Sequence, residues 1–300
     1  MDSVLRARAN ECAPFENVYT LALRGLHDRA MNASNNMSDR KQMLQDALMA
    51  QRKMLIDATG KRGEDIPQAF TPYKEVLDVY DEGLELPDDV TIIWPDDNYG
   101  YMKRLSSPKE QKRSGRSGVY YHSSYLGKPH DHLWMNTTSP TLMYEELRKA
   151  YDMTADRIWL LNAGDIKACE FAVDFFLSMA YDIDSFNFDR AAAYRTEWLC
   201  GMLGDEYRNE YQDVLNSFYK LAFARRPEFM GWGYQWATDK HGRERNTDTD
   251  FSLTNYREVD SRLSEYRRIG SITEEILNKL PEEKKACFYQ SMYYPVKGCE

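Results

Sequence analysis

The sequence has no excess of positive charge. Its 39 lysines and arginines are outnumbered by 48 aspartates and glutamates, giving a formal charge of −9. Nucleic-acid binding depends on a basic excess to neutralise phosphates, so that class is disfavoured, whereas an acidic or neutral polysaccharide partner is not. Paired cysteines are missing as well. Cys12, Cys169, Cys200, Cys287 and Cys299 are scattered, and none forms a CxxC pair of the kind that holds zinc or an iron–sulfur cluster. The odd number also argues against a disulfide framework. No apolar run approaches the ~18 residues of a transmembrane helix, so no membrane partner is expected. The opening Met1-Asp2-Ser3-Val4-Leu5-Arg6 lacks the apolar stretch of a signal peptide.

Aromatic residues, by contrast, are plentiful. Twenty-one Tyr and six Trp within a 42% hydrophobic composition are ample for a folded core. Their ordinary use is packing; the sharper reading is that some face a groove and stack on sugars.

The chain is organised around Asp96-Asp97-Asn98-Tyr99-Gly100. Val90-Thr91-Ile92-Ile93-Trp94 before it is uncharged, β-branched and aromatic, the pattern of a buried parallel strand. The theme recurs. Gly118-Val119-Tyr120-Tyr121 runs into His122, Arg157-Ile158-Trp159-Leu160-Leu161 into Asn162-Ala163-Gly164-Asp165, and Asn17–Leu23 into Arg24-Gly25-Leu26-His27-Asp28. Open α/β sheets and (β/α) barrels carry their chemistry at such strand ends. Further short strands are read at 68–70 and 133–136, with helices at about 40–58, 73–80, 141–151 and 169–181. The alternation over 90–181 predicts parallel α/β. From about 187 the pattern is helical, over 189–225, 254–270, 272–280 and 281–294, the last ending at Pro295. Residues 1–17 show no clear pattern, and 106–118 read as a solvated loop in which Arg113 or Arg116 offers a weaker anion-binding option. The division is therefore a (β/α)-barrel portion over 1–186 and an all-helical domain over 187–300. Fewer strands are visible than the eight of a closed barrel, so a fragment of a longer protein is expected, with the early strands missing and the helical domain truncated at its C-terminal side.

Each ionisable candidate has two readings. Asp96 and Asp97 either cap the turn after the strand or serve as a base and a hydroxyl partner. His122 is a core or turn histidine, or it recognises a carboxylate or hydroxyl. With His130 and His132 it has a weaker metal reading, in a loop with no supporting acid at helical spacing. Asp165 and Lys167 follow Gly164, which permits a tight turn. Glu170 sits where a helix dipole favours an acid. Glu145 and Glu146 are, by composition alone, ordinary surface residues. Arg24 either clamps a carboxylate bidentately or pairs with a neighbouring acid.

Taken in order, Trp94-Pro95-Asp96-Asp97-Asn98-Tyr99-Gly100, Gly118-Val119-Tyr120-Tyr121-His122 with Pro129 and Trp134, and Ile158 through Lys167 resemble glycoside hydrolase family 115, the xylan α-1,2-glucuronidases. Arg24-Gly25, Tyr73-Lys74-Glu75-Val76, Arg226-Pro227-Glu228 and Tyr294-Pro295-Val296 look similar to the same family, so the likeness runs from about 18 to 298. It implies a (β/α)8 TIM barrel followed by helices. The activity implied is release of glucuronic acid, or its 4-O-methyl ether, from O2 of xylose in glucuronoxylan, with inversion and without metal or organic cofactor. The implied partner is an acidic xylan or xylo-oligosaccharide, and the resemblance allows a homodimer of the full-length protein. Relatives are commonly exported, which implies a secreted or periplasmic full-length protein. Glu145 is implied as general acid and Asp97 as general base, with Asp165 competing for either role. Arg24, Asp28, Asp96, Asn98, His122, Asn162, Lys167 and Glu170 are implied to hold the uronate and hydroxyls. One departure stands out: where relatives have a Gly-Met-Arg-Gly-Asp-Gly-Asp run, this chain has Ala22-Leu23-Arg24-Gly25-Leu26-His27-Asp28.

Overall fold

The computed structural model of the chain describes residues 2–25, 29–32, 36–233, 237–242 and 244–300. It shows a mixed α/β fold. Five short strands, β1 (Tyr19–Thr20), β2 (Gln68–Phe70), β3 (Thr91–Pro95), β4 (Ser117–His122) and β5 (Trp159–Asn162), form one sheet in the order β1-β2-β3-β4-β5. The pairings from β1 to β4 are parallel, with Ala69 opposite Thr91 and Trp94 opposite Val119. β5 joins β4 through Val119 N–H to Ile158 O and Arg157 N–H to Ser117 O, both 2.9 Å. Each strand lies beside its predecessor, without the reversal that defines a doubly wound sheet. Every residue of β2 and β3 is buried, as strands covered on both faces must be.

The chain divides into two compact units. The first comprises Met1–Asp97, Met102–Tyr120 and Lys149–Leu160. Its core gathers Leu44, Leu48, Phe70, Val76, Val79 and Val90, with Ile92 and Trp94 in a smaller cluster alongside. Helix α1 (Asp2–Cys12) packs on α2 (Met37–Thr59), where the sequence had shown no pattern before residue 17. Helix α2 starts at Asn36, whose side chain accepts from Ser38 N–H at 2.9 Å, and stops at Gly60 in the left-handed region with φ 67°. Helix α3 (Glu75–Asp81) precedes β3. In the expected loop at 106–118, Arg113 donates to the carbonyls of Leu86, Pro87 and Val90, and Arg116 pairs with Asp156.

The second unit comprises Asn98–Tyr101, Tyr121–Arg148 and Leu161–Glu300. Helix α4 (Pro140–Asp152) begins in it, with Ser139 Oγ accepting from Leu142 N–H at 3.1 Å and Pro140 in the first turn. Helix α5 (Glu170–Tyr181) buries Phe171, Phe175, Phe176 and Met179. The expected long helix over 189–225 is two: α6 (Phe188–Leu203), capped by Asn187, and α7 (Arg208–Ala224). Gly204 at φ 97° separates them, a conformation that the apolar periodicity across it does not reveal. A two-stranded ribbon, β6 (Ala237–Thr238) with β7 (Glu244–Arg245), follows. The two helices expected at 254–280 are a single α8 (Glu258–Lys279). Pro295 does not end the last helix. Helix α9 (Glu282–Phe288) passes through a π-turn at Tyr289–Tyr293 into α10 (Tyr294–Cys299), with Pro295 in its first turn, where no N–H is needed. Leu199, Tyr211, Leu215, Phe218, Ile269 and Phe288 form the shared core of these helices. The strand expected at Leu133–Asn136 is absent, because Trp134 and Asn136 adopt φ of 59° and 54°, which no extended strand tolerates.

Candidate active site

The sheet fixes where polar groups emerge. In the first unit, the ladder continues one residue past β3, with Asp96 N–H donating to Tyr120 O at 3.1 Å. Asp96 is 2% exposed and Asp97 partly exposed. After β1, Arg24 forms a two-pronged pair with Glu75, Nε to Oε1 and Nη2 to Oε2, both at 3.1 Å. Its guanidinium also lies 5.3 Å from the Tyr73 ring centre. Arg24 is thus paired with Glu75 in this structure. Asp28 lies outside the described residues.

In the second unit, the ends of β4 and β5 are tied together. The Asn162 carbonyl accepts from Ser123 N–H at 3.0 Å, Ser124 N–H at 3.3 Å and the Ser123 hydroxyl at 3.1 Å. His122 is buried, with its ring edge-on to Tyr125 at 5.7 Å. Asn98 takes φ 74°, and the Tyr121 hydroxyl donates to Gly100 O at 3.0 Å. Gly100 has no room for a side chain, since a Cβ there would lie 2.7 Å from that hydroxyl. His132 donates from Nε2 to the Asn98 carbonyl at 2.6 Å, which sets its tautomer, because a carbonyl only accepts. Burial, with the Arg226 charge and His122 nearby, pushes His132 down to about 3, so the ring is neutral. His130 bonds the Gly233 carbonyl at 2.8 Å. Two of the three histidines therefore serve backbone carbonyls, and no metal-holding group of three appears among the described residues.

Among the acids, Glu145 faces solvent on α4, whereas Glu146 is 6% exposed on the same side as Met143 and Leu147. Asp165 is exposed and accepts from Trp134 Nε1 at 2.8 Å. Gly164 before it takes φ 58°, and a Cβ there would lie 2.5 Å from Ser124 Oγ. Lys167 and Glu170 pair with each other at 2.8 Å, with the lysine 91% exposed. That hydrogen bond holds the Lys167 ammonium above its ordinary value.

One group of residues escaped the sequence reading as a site. Arg226 donates to Tyr99 O and to the hydroxyls of Thr137 and Thr138, each hydroxyl at 3.1 Å. Glu228 accepts from Thr137 at 2.8 Å. Burial raises the Glu228 carboxyl above its usual range, against the pull of its own backbone and of Arg226. The Arg226-Pro227-Glu228 triplet was visible only as a family likeness; nothing local marks it.

The model of glycosyl hydrolase family 115 matches residues 1–229. Among solved structures, the chain is similar to a family 115 4-O-methyl-α-glucuronidase with specificity for decorated arabinogalactans. The identity is 37%, with a TM-score of 0.88, over 98% of this chain and 38% of that one. The chain thus spans well under half the length of that relative. No curated protein matches. With the family model covering most of the chain and the fold shared nearly throughout, this chain belongs to glycosyl hydrolase family 115.

Proposed function

We propose that the chain is the glucuronidase part of a glycoside hydrolase that releases glucuronic acid or 4-O-methylglucuronic acid from an acidic polysaccharide. The observation that carries this is the 37% identity to a 4-O-methyl-α-glucuronidase over 98% of the chain. The finer reading is an α-1,2 linkage to xylose in glucuronoxylan, cleaved with inversion. The sequential order of the five strands supports a (β/α)8 barrel portion over 1–186, with the helices over 187–300 as its companion domain.

In this reading one carboxyl protonates the leaving oxygen and another activates water. Glu145 is the proposed acid and Asp97 the base, with Asp165 the alternative for either. Asp96, Asn98, His122, Asn162, Lys167, Glu170, Arg24 and Asp28 are proposed to hold the sugar. Glu146 is the necessary comparison for Glu145, because it is the buried one of the pair.

Proton NMR of aldouronic-acid oligosaccharides incubated with the protein tests all of this. The expected first product is β-glucuronic acid from the α-linked substrate. Glu145→Gln or Asp97→Asn should lower the rate by about 10²–10⁴-fold. Unchanged release by Glu145→Gln with loss in Glu146→Gln would move the acid by one residue. The relative's specificity favours a second reading, in which the uronic acid is taken from decorated arabinogalactan; the same assay on that polymer decides. Saccharide binding by calorimetry without turnover would reduce the chain to a binding module.

A further inference from the structure

We propose that a cavity in the second unit, framed chiefly by Arg225, Phe229, Trp232, Thr247, Asp248 and Asp250, is a subsite for a neutral stretch of polysaccharide main chain. None of the strand-end groups above lines it, and the proposal rests on the carbohydrate-active reading of the protein. Its volume is about 520 Å³, within the ~300–1,000 Å³ range of small-molecule sites.

Two aromatic side chains of an otherwise polar wall, Phe229 and Trp232, are held in place. The His130 ring lies 4.1 Å from Phe229 and 6.2 Å from Trp232, nearly parallel to the latter at 26°. His130 is fully buried and bonded to Gly233 O, so the two aromatic side chains have a fixed backing. The Trp232 backbone is bridged to Asp248, and Gly233 N–H donates to Thr247 O at 3.0 Å. These links join the two edges of the cavity. A preformed apolar face is what the C–H face of a sugar ring stacks on, and preformation lowers the cost of binding.

The charges decide which sugar. The two arginines and two aspartates of the lining cancel. Arg226 already serves Tyr99 O, Thr137 and Thr138. Arg225 gives Nε and Nη2 to Phe229 O, and Nη2 also to Asp250. The Arg225 guanidinium lies 5.2 Å from the Phe251 ring centre, and its Nη1 group remains as a hydrogen-bond donor beside the exposed Asp248 carboxylate as an acceptor, neither hydrogen-bonded to another described residue. A uronate would meet Asp248 and Asp250 with like charge. A neutral sugar, whose hydroxyls both donate and accept, satisfies Asp248 and Nη1 together.

Two main chains share this chemistry, and the test separates them. The 300-residue protein is titrated calorimetrically with xylotetraose and, in a second arm, with galactotetraose. Binding of at least one is expected, and whichever binds names the main chain. Trp232→Ala and Asp248→Ala should each weaken that binding about tenfold. Asp248 is exposed, so its variant tests the site without disturbing the core, and a thermal melt of each variant confirms folding. Absence of binding in both arms, or unchanged affinity in a folded Asp248→Ala, overturns the proposal. Release of uronic acid by the unsubstituted protein is followed separately. Its absence alongside intact neutral binding counts against the activity reading and not against this subsite.

Discussion

At the scale of single residues, the strand-end groups were legible because each follows an apolar run, fully buried before Asp96 but with Leu160 44% exposed before Asn162. Asp96, His122 and Asn162 stand at such ends. What those groups bond to was not legible. Arg226 reaches Tyr99 across 127 positions, and no local pattern encodes a contact at that separation. His132 gives the clearest residue-scale prediction. Its folded value of about 3 lies below the ordinary 6.5, so the unfolded chain takes up the proton first. Stability contributed by the neutral ring is therefore complete above pH 6.5 and falls as pH drops towards 3. The slope approaches about 1.4 kcal/mol per pH unit for one proton. Glu228 acts in the opposite sense, since its raised carboxyl binds a proton earlier when folded. Urea unfolding at a series of pH values should show a shallower decline for His132→Gln than for the parent; identical slopes would refute the assignment. A steric prediction sits on β4. A Cβ at Gly118 would collide with the carbonyl oxygen of Ile158, the residue just before β5. Gly118→Ala should cost about 1–3 kcal/mol by forcing backbone apart, read from the urea midpoint.

Elements were legible where period and punctuation agree. Helix α4 shows this, with Ser139 and Pro140 at its start. Period alone failed at 189–225, where a glycine in a positive-φ conformation interrupts an otherwise continuous apolar face. It failed again at Leu133–Asn136, where an apolar and aromatic composition suited a strand but two positive φ angles ruled it out. The division of labour between Glu145 and Glu146 belongs to this scale. Adjacent positions on a helix point about 100° apart, so only one of the two lies on the face shared with Met143 and Leu147. Capping offers a direct measurement. Asn187 Oδ1 accepts from Arg190 N–H at 2.8 Å at the start of α6. Asn187→Ala should cost about 1 kcal/mol, while Asn187→Ser should retain most of the stability. Equal destabilisation by both would show that the cap contributes through packing and not through its hydrogen bond.

For the whole molecule, the alternation of strands and helices was enough to read α/β, and the short apolar runs placed all five strands of the main sheet. The family followed from the motifs at their ends. The five cysteines are all free thiols. Melting temperature should accordingly be the same with and without a reductant, and five thiols should titrate in denaturant; a fall in melting temperature on reduction would reveal a bridge. The sequential strand order carries one more consequence. Because every strand of the sheet pairs with the one synthesised just before it, each new strand and its helix finds its template already made. These five strands can be laid down in the direction of translation, each on the one before it. The loop each pairing must close is only the length of one connection, which keeps the entropic cost of every addition small. A nascent chain stalled after β3 should therefore already protect the amides of β2 from exchange.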